Sequence, residues 1–224
     1  MKPTLYSNYV NSAGERVRIA LALKGIEYDY ISVNNLGWDV YERINPQRLI
    51  PTLKVGDALI PQSTAILEYL EETHPDPALL PRDPILRAQS RGFAQHIVSE
   101  MHAIDVIRVR RFLGNELGVG AGDIGRWQQH WFTKGFTALE ALLARRPETW
   151  PCCYGEDPGW ADLHLIPQMR KGLTRFGVDP SEWPLLAGIF QRCTALPAFV
   201  AATPEQQPDW PGRIVEPTMD GDGI

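Results

Sequence analysis

Residues 49–72 read LIPTLKVGDALIPQSTAILEYLEE, and this stretch decides the fold. Two apolar runs of strand length, at residues 53–55 and 58–60, flank Gly56-Asp57, a pair that supplies the positive φ of a tight hairpin. The run that follows has apolar residues at helical spacing and stops before a proline, which predicts a helix. The stretch therefore predicts a hairpin of two short strands followed by a helix.

Two features of this stretch are typical of a binding site. Pro51 enters the first strand after Ile50, cannot donate a hydrogen bond to the sheet and, in a cis bond, leaves the Ile50 backbone groups facing outward. Gln62 and Ser63 place an amide and a hydroxyl at the start of the predicted helix, where free N–H groups and the helix dipole attract a carboxylate. An edge-strand proline and an ordinary helix cap would explain each feature separately. Their occurrence together in one short stretch favours a binding site.

The residues before this stretch predict a β-α-β unit with parallel strands. Residues 4–6 and 28–33 have the composition of short strands, and RVRIALALKG at residues 16–25 has helical spacing between them. Residues 38–44 add a short helix that ends at an Asn-Pro pair. With the hairpin and its helix, the order is βαβ-α-ββα within residues 1–81, which is typical of one small α/β domain.

A proline-rich linker follows, with prolines at positions 75, 77, 81 and 84. Beyond it, four segments show helical periodicity and none resembles a strand: residues 86–113, 124–143, 160–176 and 183–193. We therefore predict an all-helical second domain over residues 82–212. Residues 213–224 end in DGDGI and are predicted to be a mobile tail.

The composition excludes several classes of function. A chain of 224 residues with 44% hydrophobic and 22% charged residues is ordinary for a globular protein. The net charge is −5, and Arg108, Arg110 and Arg111 are too few to form a nucleic-acid-binding surface. No apolar run is long enough to span a membrane, and no signal peptide precedes the first strand. We therefore expect a cytoplasmic protein whose partners are neither nucleic acids nor membranes.

The cysteines predict no disulfide framework. Cys152, Cys153 and Cys193 are odd in number and lack the CxxC spacing of zinc sites, which favours a reducing compartment. A soft-metal site at Cys152-Cys153 is one interpretation. Buried free thiols are the interpretation that we favour, because unpaired cysteines behave as small apolar residues. We therefore expect no metal centre.

Six segments in order resemble the zeta class of cytosolic glutathione transferases, the maleylacetoacetate and maleylpyruvate isomerases. They are KPTLYS, RVRIALALKGIEYDY, NPQRLIPTLKV, PQSTAILEYLEETHPDPALLP, ADLHLIPQ and RFGVD. The resemblance extends to about residue 210 and is clearest over residues 1–81. It implies a thioredoxin-like N-terminal domain followed by an all-α domain, and a homodimer.

The resemblance also implies glutathione as the cofactor, and it assigns residues to it. The backbone of Ile50, before a cis Pro51, resembles the groups that pair with the cysteinyl part of glutathione. Gln62 and Ser63 correspond to residues that hold the γ-glutamyl carboxylate, and Gln47 is included in the same site.

The catalytic motif of the class is altered in this chain. The family's Ser-Ser-Cys sequence is Asn11-Ser12-Ala13 here, and the arginine before it is Val10. A thiolate needs a hydrogen-bond donor and a positive local field at neutral pH. Asn11 or Ser12 would supply the donor, and the helix N-terminus would supply the field. The same two residues also suit a simple helix cap.

Three basic residues of the helical domain resemble those that line the substrate pocket of the isomerases. They are His102, Arg108 and Arg175, and guanidinium groups bind carboxylates in a bidentate manner. The alternative is that the two arginines are solvated surface charges and that His102 is an interior histidine.

Three hypotheses for the function follow. The first is a glutathione-dependent cis–trans isomerase of a maleyl-type diacid, which regenerates glutathione. The second is a glutathione transferase that conjugates or dehalogenates small electrophiles such as α-halo acids and consumes glutathione; Val10 and Ala13 favour it. The third is a non-catalytic glutathione-binding module, against which the presence of Pro51, Gln62 and Ser63 argues.

Overall fold

The computed structural model describes residues 2–215, which form two compact units. The first unit comprises residues 2–79 and 195–215, and the second comprises residues 80–194. The predicted tail therefore lies mostly outside the described residues, since residues 216–224 are not among them. The first unit also contains the segment 195–212, which the sequence places in the helical domain.

A four-stranded sheet forms the centre of the first unit, in the order β2-β1-β3-β4. The strands are β1 (Thr4–Ser7), β2 (Asp29–Ser32), β3 (Thr52–Val55) and β4 (Ala58–Pro61). β1 pairs with β2 in parallel, as the β-α-β pattern predicts, and the β1–β3 and β3–β4 pairs are antiparallel. The tight turn between β3 and β4 contains Gly56 with a φ of 59°, the conformation that the hairpin prediction requires.

Four helices accompany this sheet: α1 (Ser12–Leu23), α2 (Val33–Leu36), α3 (Trp38–Glu42) and α4 (Ser63–Thr73). α1 begins four residues before the apolar spacing at residue 16. Asn11 accepts a hydrogen bond from the backbone N–H of Gly14 and caps the helix, as the cap interpretation of the motif predicts. α1 and α4 contact each other and bury Val17, Leu21 and Ile66 completely. The packing of these two helices brings their N-termini into one region of the first unit.

A C-terminal segment, residues 195–215, completes the first unit. It contains α10 (Pro197–Ala201), which contacts α1. The Asp209 carboxylate accepts hydrogen bonds from the Tyr9 backbone N–H at 3.2 Å and from the Tyr30 hydroxyl at 2.9 Å. These bonds hold the C-terminal segment against the loop that leads into α1.

The described residues of the second unit are helical and contain no strand, as predicted. Its α-helices are α5 (Pro84–His96), α6 (Ile107–Arg111), α7 (Ala121–Leu143), α8 (Trp160–Phe176) and α9 (Pro184–Thr194). Two π-helical turns, Ile97–His102 and Phe112–Glu116, extend α5 and α6, and Pro180–Glu182 forms a 3₁₀ turn.

The predicted helix over residues 86–113 is not continuous. Val106 is extended, with φ −65° and ψ 150°, and divides the segment between the first π-helical turn and α6. The break turns Asp105 into the interior, where it is 1% exposed. Among residues 2–215, no helix is both long enough and apolar enough to cross a membrane.

Candidate functional site

Asn11 joins the start of α1 to the turn that precedes β3. Its Oδ1 accepts the Gly14 N–H at 2.6 Å, and its Nδ2 donates to the Ile50 carbonyl at 3.3 Å. An amide nitrogen carries a second N–H, so one donor of this half-buried side chain remains for another acceptor. The structure thus brings a predicted catalytic residue next to a predicted glutathione-binding residue from a distant part of the sequence.

The Ile50-Pro51 peptide bond is cis, as the family resemblance implies. Tyr41 and Asn45 hold the turn before it. The Tyr41 hydroxyl and the Asn45 Nδ2 both donate to the Leu49 carbonyl at 2.7 Å, and Asn45 is 2% exposed. Burial raises the pKa of Tyr41, which keeps its hydroxyl protonated as a donor. The sequence indicated only that an Asn-Pro pair ends a helix, so this supporting role of Asn45 was missed.

The N-terminus of α4 is built differently from an ordinary capped helix. Gln62 precedes it with φ 71° and ψ 120°, and among the described residues its side chain makes no capping hydrogen bond. Instead, the Gln62 Nε2 donates to the Gln47 Oε1 at 2.8 Å. A non-glycine residue at positive φ is strained, and such strain concentrates at ligand sites. Gln47, Gln62 and Ser63 therefore lie together beside uncapped backbone N–H groups.

Arg16 lies beneath this terminus, and no sequence pattern indicated its role. Its side chain is completely buried, and its Nη1 donates to the Ser63 Oγ at 3.4 Å. Burial lowers the pKa of Arg16 to about 10. A buried guanidinium, an uncapped helix N-terminus and a serine hydroxyl together form a site for an anionic group. This is the site at which the family resemblance predicts the γ-glutamyl carboxylate of glutathione.

The second unit contains the three predicted substrate residues, which lie on three different elements. His102 is half-buried in the π-helical turn after α5, Arg108 is exposed on α6, and Arg175 is half-buried in the last turn of α8. The exposure of Arg108 is consistent with the alternative that it is a solvated charge. Their roles toward a substrate remain predictions.

A buried ionic cluster in the second unit was not predicted. The Asp105 carboxylate forms an ion pair with Lys171 and accepts a hydrogen bond from Gln128, and the Arg110 Nε lies 3.9 Å from it. Burial lowers the pKa of Lys171, and the charge of Arg175 one turn further along α8 lowers it too, whereas Asp105 opposes both effects. Positive charges from α6 and α8 thus converge on one carboxylate. The residues lie far apart in sequence, so no local pattern indicates this cluster.

The three cysteines are free and buried, as the favoured interpretation predicts. The sulfur atoms of Cys152 and Cys193 and the carboxylate of Asp162 lie within 4.8 Å of one another. Asp162 already accepts the backbone N–H groups of Gly159 and Cys153, each at 2.9 Å, and so caps the start of α8. Burial raises the pKa of Cys153, which keeps that thiol protonated.

Comparison with known proteins identifies relatives over nearly the whole chain. Residues 5–78 match the profile of the family described as glutathione S-transferase, N-terminal domain. A maleylpyruvate isomerase from a Ralstonia species is 38% identical over 210 residues, which cover 92% of this chain and 98% of that protein. The solved structure of a maleylpyruvate isomerase, a bacterial glutathione S-transferase of the zeta class, is 37% identical with a TM-score of 0.87. It covers 92% of this chain and 99% of its own.

A further solved structure carries ligands. It is maleylacetoacetate isomerase from Anaeromyxobacter dehalogenans 2CP-1, with bound dicarboxyethyl glutathione and citrate in the active site. It is 35% identical with a TM-score of 0.82 and covers 94% of this chain and 98% of its own. The likeness confirms the predicted fold class. These relatives are named as enzymes, which counts against the hypothesis of a non-catalytic binding module.

Proposed function

This chain belongs to the zeta class of glutathione transferases, the maleylacetoacetate and maleylpyruvate isomerases, and we propose that it is a glutathione-dependent cis–trans isomerase of a maleyl-type diacid. As a member of this class it is an enzyme that uses glutathione as its cofactor. Maleylpyruvate and maleylacetoacetate are the diacids after which its relatives are named.

One observation carries the proposal most directly: the Asn11 Nδ2 lies 3.3 Å from the carbonyl of Ile50. In the proposed complex, the Ile50 backbone pairs with the cysteinyl part of glutathione, so the cysteinyl sulfur lies close to the same amide. The remaining N–H of Asn11 then donates to the thiolate, while the Oδ1 stays bonded to Gly14. We therefore assign the thiolate donor to Asn11 rather than to Ser12.

The other end of glutathione is held at α4. Gln62 and Ser63 bind the γ-glutamyl carboxylate at the N-terminus of that helix, and Gln47 positions Gln62 through its side-chain hydrogen bond. When bound, glutathione supplies a thiolate that adds to the double bond, permits rotation and leaves again, so that glutathione is regenerated. Asn11 and the α1 N-terminus stabilise the negative sulfur before addition and after departure.

The carboxylates of the substrate require cations. We assign the role of these cations to Arg108 and Arg175, with His102 as a further contact to the substrate. The same groups offset the enolate charge that develops when the thiolate adds to the double bond. The dicarboxyethyl glutathione bound to the A. dehalogenans relative is a thioether that carries two carboxylates. This is the connectivity expected when a thiolate adds to a maleyl-type double bond.

A second candidate function is conjugation or dehalogenation of small electrophiles such as α-halo acids. The observation that favours it is Val10, which stands where the class has an arginine that would contact a dicarboxylate. In addition, Ala13 stands where the motif of the class has a cysteine. Both functions use the same thiolate, but only the transferase consumes glutathione.

The fate of glutathione distinguishes these functions. Purified protein is incubated with maleylpyruvate or maleylacetoacetate and a substoichiometric amount of glutathione, and product and free thiol are both measured. Complete conversion to the fumaryl product with the thiol unchanged is the expected result. A parallel reaction contains a chloro-substituted acid and excess glutathione. If the free thiol is lost in proportion to that acid, and neither diacid is isomerised, the protein is a conjugating transferase.

Two further assignments rest on the family. We propose that the protein is a homodimer and that it acts in the cytoplasm on a small electrophile that carries carboxylate groups. Analytical ultracentrifugation tests the first assignment, because a monomer at micromolar concentration would contradict it.

A further inference from the structure

Arg16 carries a buried charge whose hydrogen-bonding capacity is mostly unused. Its side chain is 0% exposed, and among residues 2–215 it bonds to one other side chain, through Nη1 to the Ser63 Oγ at 3.4 Å. Within the part of the chain that the structure describes, its Nε and Nη2 have no hydrogen-bond partner. Burying an ionised group without compensation is costly, so such a group persists where an anion or its acceptors offset the cost.

Arg18, two residues further along α1, shows what a structural arginine looks like in the same helix. It is 1% exposed, and its guanidinium donates to three backbone carbonyls, those of Ala202, Asn8 and Tyr9. These bonds connect α1 to the C-terminal segment and to the loop after β1. Within residues 2–215, Arg16 makes no comparable set of bonds to backbone carbonyls, so support of the backbone does not account for its burial.

The neighbouring Glu15 offsets the burial of Arg16 only in part. Attraction by the Glu15 carboxylate raises the pKa of Arg16, but the effect of burial is larger and the pKa stays low. Glu15 also acts on Arg18, whose pKa burial lowers as well. The two buried arginines therefore share one adjacent carboxylate, and a further negative charge near Arg16 would stabilise its ionised form.

The chemistry of the contact between Arg16 and Ser63 determines which of the two residues donates the hydrogen bond. A guanidinium has only donors, so the Ser63 oxygen must accept the bond from Nη1. The hydroxyl hydrogen of Ser63 is then left to donate elsewhere. Ser63 is the first residue of α4, where backbone N–H groups and the helix dipole already favour an anion.

We propose that Arg16 is a positioning residue for glutathione: it turns the Ser63 hydroxyl into a donor for the γ-glutamyl carboxylate and adds its charge to the N-terminus of α4. The inference rests on the proposed function, because it takes that carboxylate to bind at Ser63. Arg16 is buried and acts through Ser63. It therefore affects the affinity for glutathione and leaves the chemistry at the sulfur unchanged.

The test compares Arg16→Gln with Arg18→Gln by isothermal titration calorimetry. Each protein is titrated with glutathione and with an analogue that lacks only the α-carboxylate of the γ-glutamyl group. Arg16→Gln should raise the Kd for glutathione by about 10- to 100-fold, the range for loss of a charge-assisted contact, and leave the Kd for the analogue unchanged. Arg18→Gln should lower the melting temperature but keep the wild-type ratio of the two Kd values.

A kinetic measurement separates positioning from general damage. For Arg16→Gln, the KM for glutathione should rise while kcat at saturating glutathione stays within about twofold. If Arg16→Gln does not fold, Arg16→Lys replaces it in the test. Lysine keeps the charge but lacks the planar guanidinium group, so this variant should show a Kd for glutathione between those of the wild type and Arg16→Gln. An unchanged ratio of Kd values in a folded Arg16 variant overturns the inference. Failure of the wild-type protein to bind glutathione would instead refute the proposed function.

Discussion

The N-termini of α1 and α4 lie in the same unit but differ in whether the preceding side chain caps the helix. At α1, Asn11 has extended backbone angles, and its Oδ1 accepts the Gly14 N–H at 2.6 Å. At α4, Gln62 sits at φ 71° and turns its side chain toward Gln47. Asn11 caps the first terminus, whereas among residues 2–215 the Gln62 side chain makes no capping hydrogen bond at the second, and we propose that the N–H groups there face the ligand.

The capped terminus contributes to stability, whereas the uncapped terminus is suited to bind an anion. A capped terminus adds free energy of unfolding, about 1 kcal/mol for an asparagine cap. An uncapped terminus with a strained residue gives up that contribution and gains an anion site. Asn11 combines both roles, because its amide also reaches the Ile50 carbonyl. Three substitutions test whether the two termini differ as described.

The largest effect is expected from Asn11→Ala. It removes both the proposed thiolate donor and the cap of α1, so kcat should fall by about 10²- to 10³-fold and stability by about 1 kcal/mol. Ultraviolet titration of the bound thiol should show a raised thiol pKa. Ser12→Ala, the neighbouring control, should lose far less activity, and a larger loss there than in Asn11→Ala would assign the thiolate donor to Ser12.

A smaller effect is expected from Gln62→Asp, which places a carboxylate at the α4 N-terminus. The new charge occupies the anion site, so the Kd for glutathione should rise about 100-fold, while the free protein should gain about 0.5–1 kcal/mol from the helix dipole. Calorimetry and thermal unfolding measure the two changes. Gln62→Asn is the matched neutral control, and equal glutathione affinity in the two variants would show that the carboxylate binds elsewhere.

The smallest effect on binding is expected from Gly14→Ala, which tests the packing of the α1 N-terminus. A Cβ at Gly14 would overlap the Ser7 Oγ and lie 3.4 Å from the Asn11 Cγ, so stability should fall by about 1–3 kcal/mol. The additional change Ser7→Ala should recover part of this loss. Ala65→Gly, at the equivalent position of α4, should cost only about 1 kcal/mol. Denaturant unfolding measures all these variants, and no loss in Gly14→Ala would refute the close approach.

Local patterns allowed much of the fold to be predicted. The β3–β4 hairpin and α4 follow from a Gly-Asp turn and apolar spacing, which are contained within one short stretch. α8 begins and ends as predicted, because Asp162 caps its start and Gly177, at φ 59°, ends it. In each case the residues that define the element lie inside the element or beside it.

The failures have a different origin. Apolar spacing alone places the start of α1 at residue 16, whereas a capping hydrogen bond of Asn11, which only the motif comparison indicated, sets its first turn. The break at Val106 accompanies the burial of Asp105, whose partner Lys171 lies on another helix. Periodicity within one helix does not contain such tertiary information.

The candidate site was predicted in part. Ile50, Gln62 and Ser63 came from a local stretch and a family resemblance, and the structure brings Asn11 beside Ile50. Arg16 was missed, because an arginine between the charged residues Glu15 and Arg18 resembles a surface charge until its burial is known.

The C-terminal segment of the first unit is synthesised long after the residues that it contacts. A ribosome synthesises the sheet and α1 early, but Asp209 emerges only after residues 80–194. Its carboxylate accepts a hydrogen bond from the backbone N–H of Tyr9, two residues before Asn11. The loop before α1 therefore acquires this support only after the second unit has been translated. Premature termination between residues 195 and 209 would yield a chain that contains every proposed site residue and lacks this support.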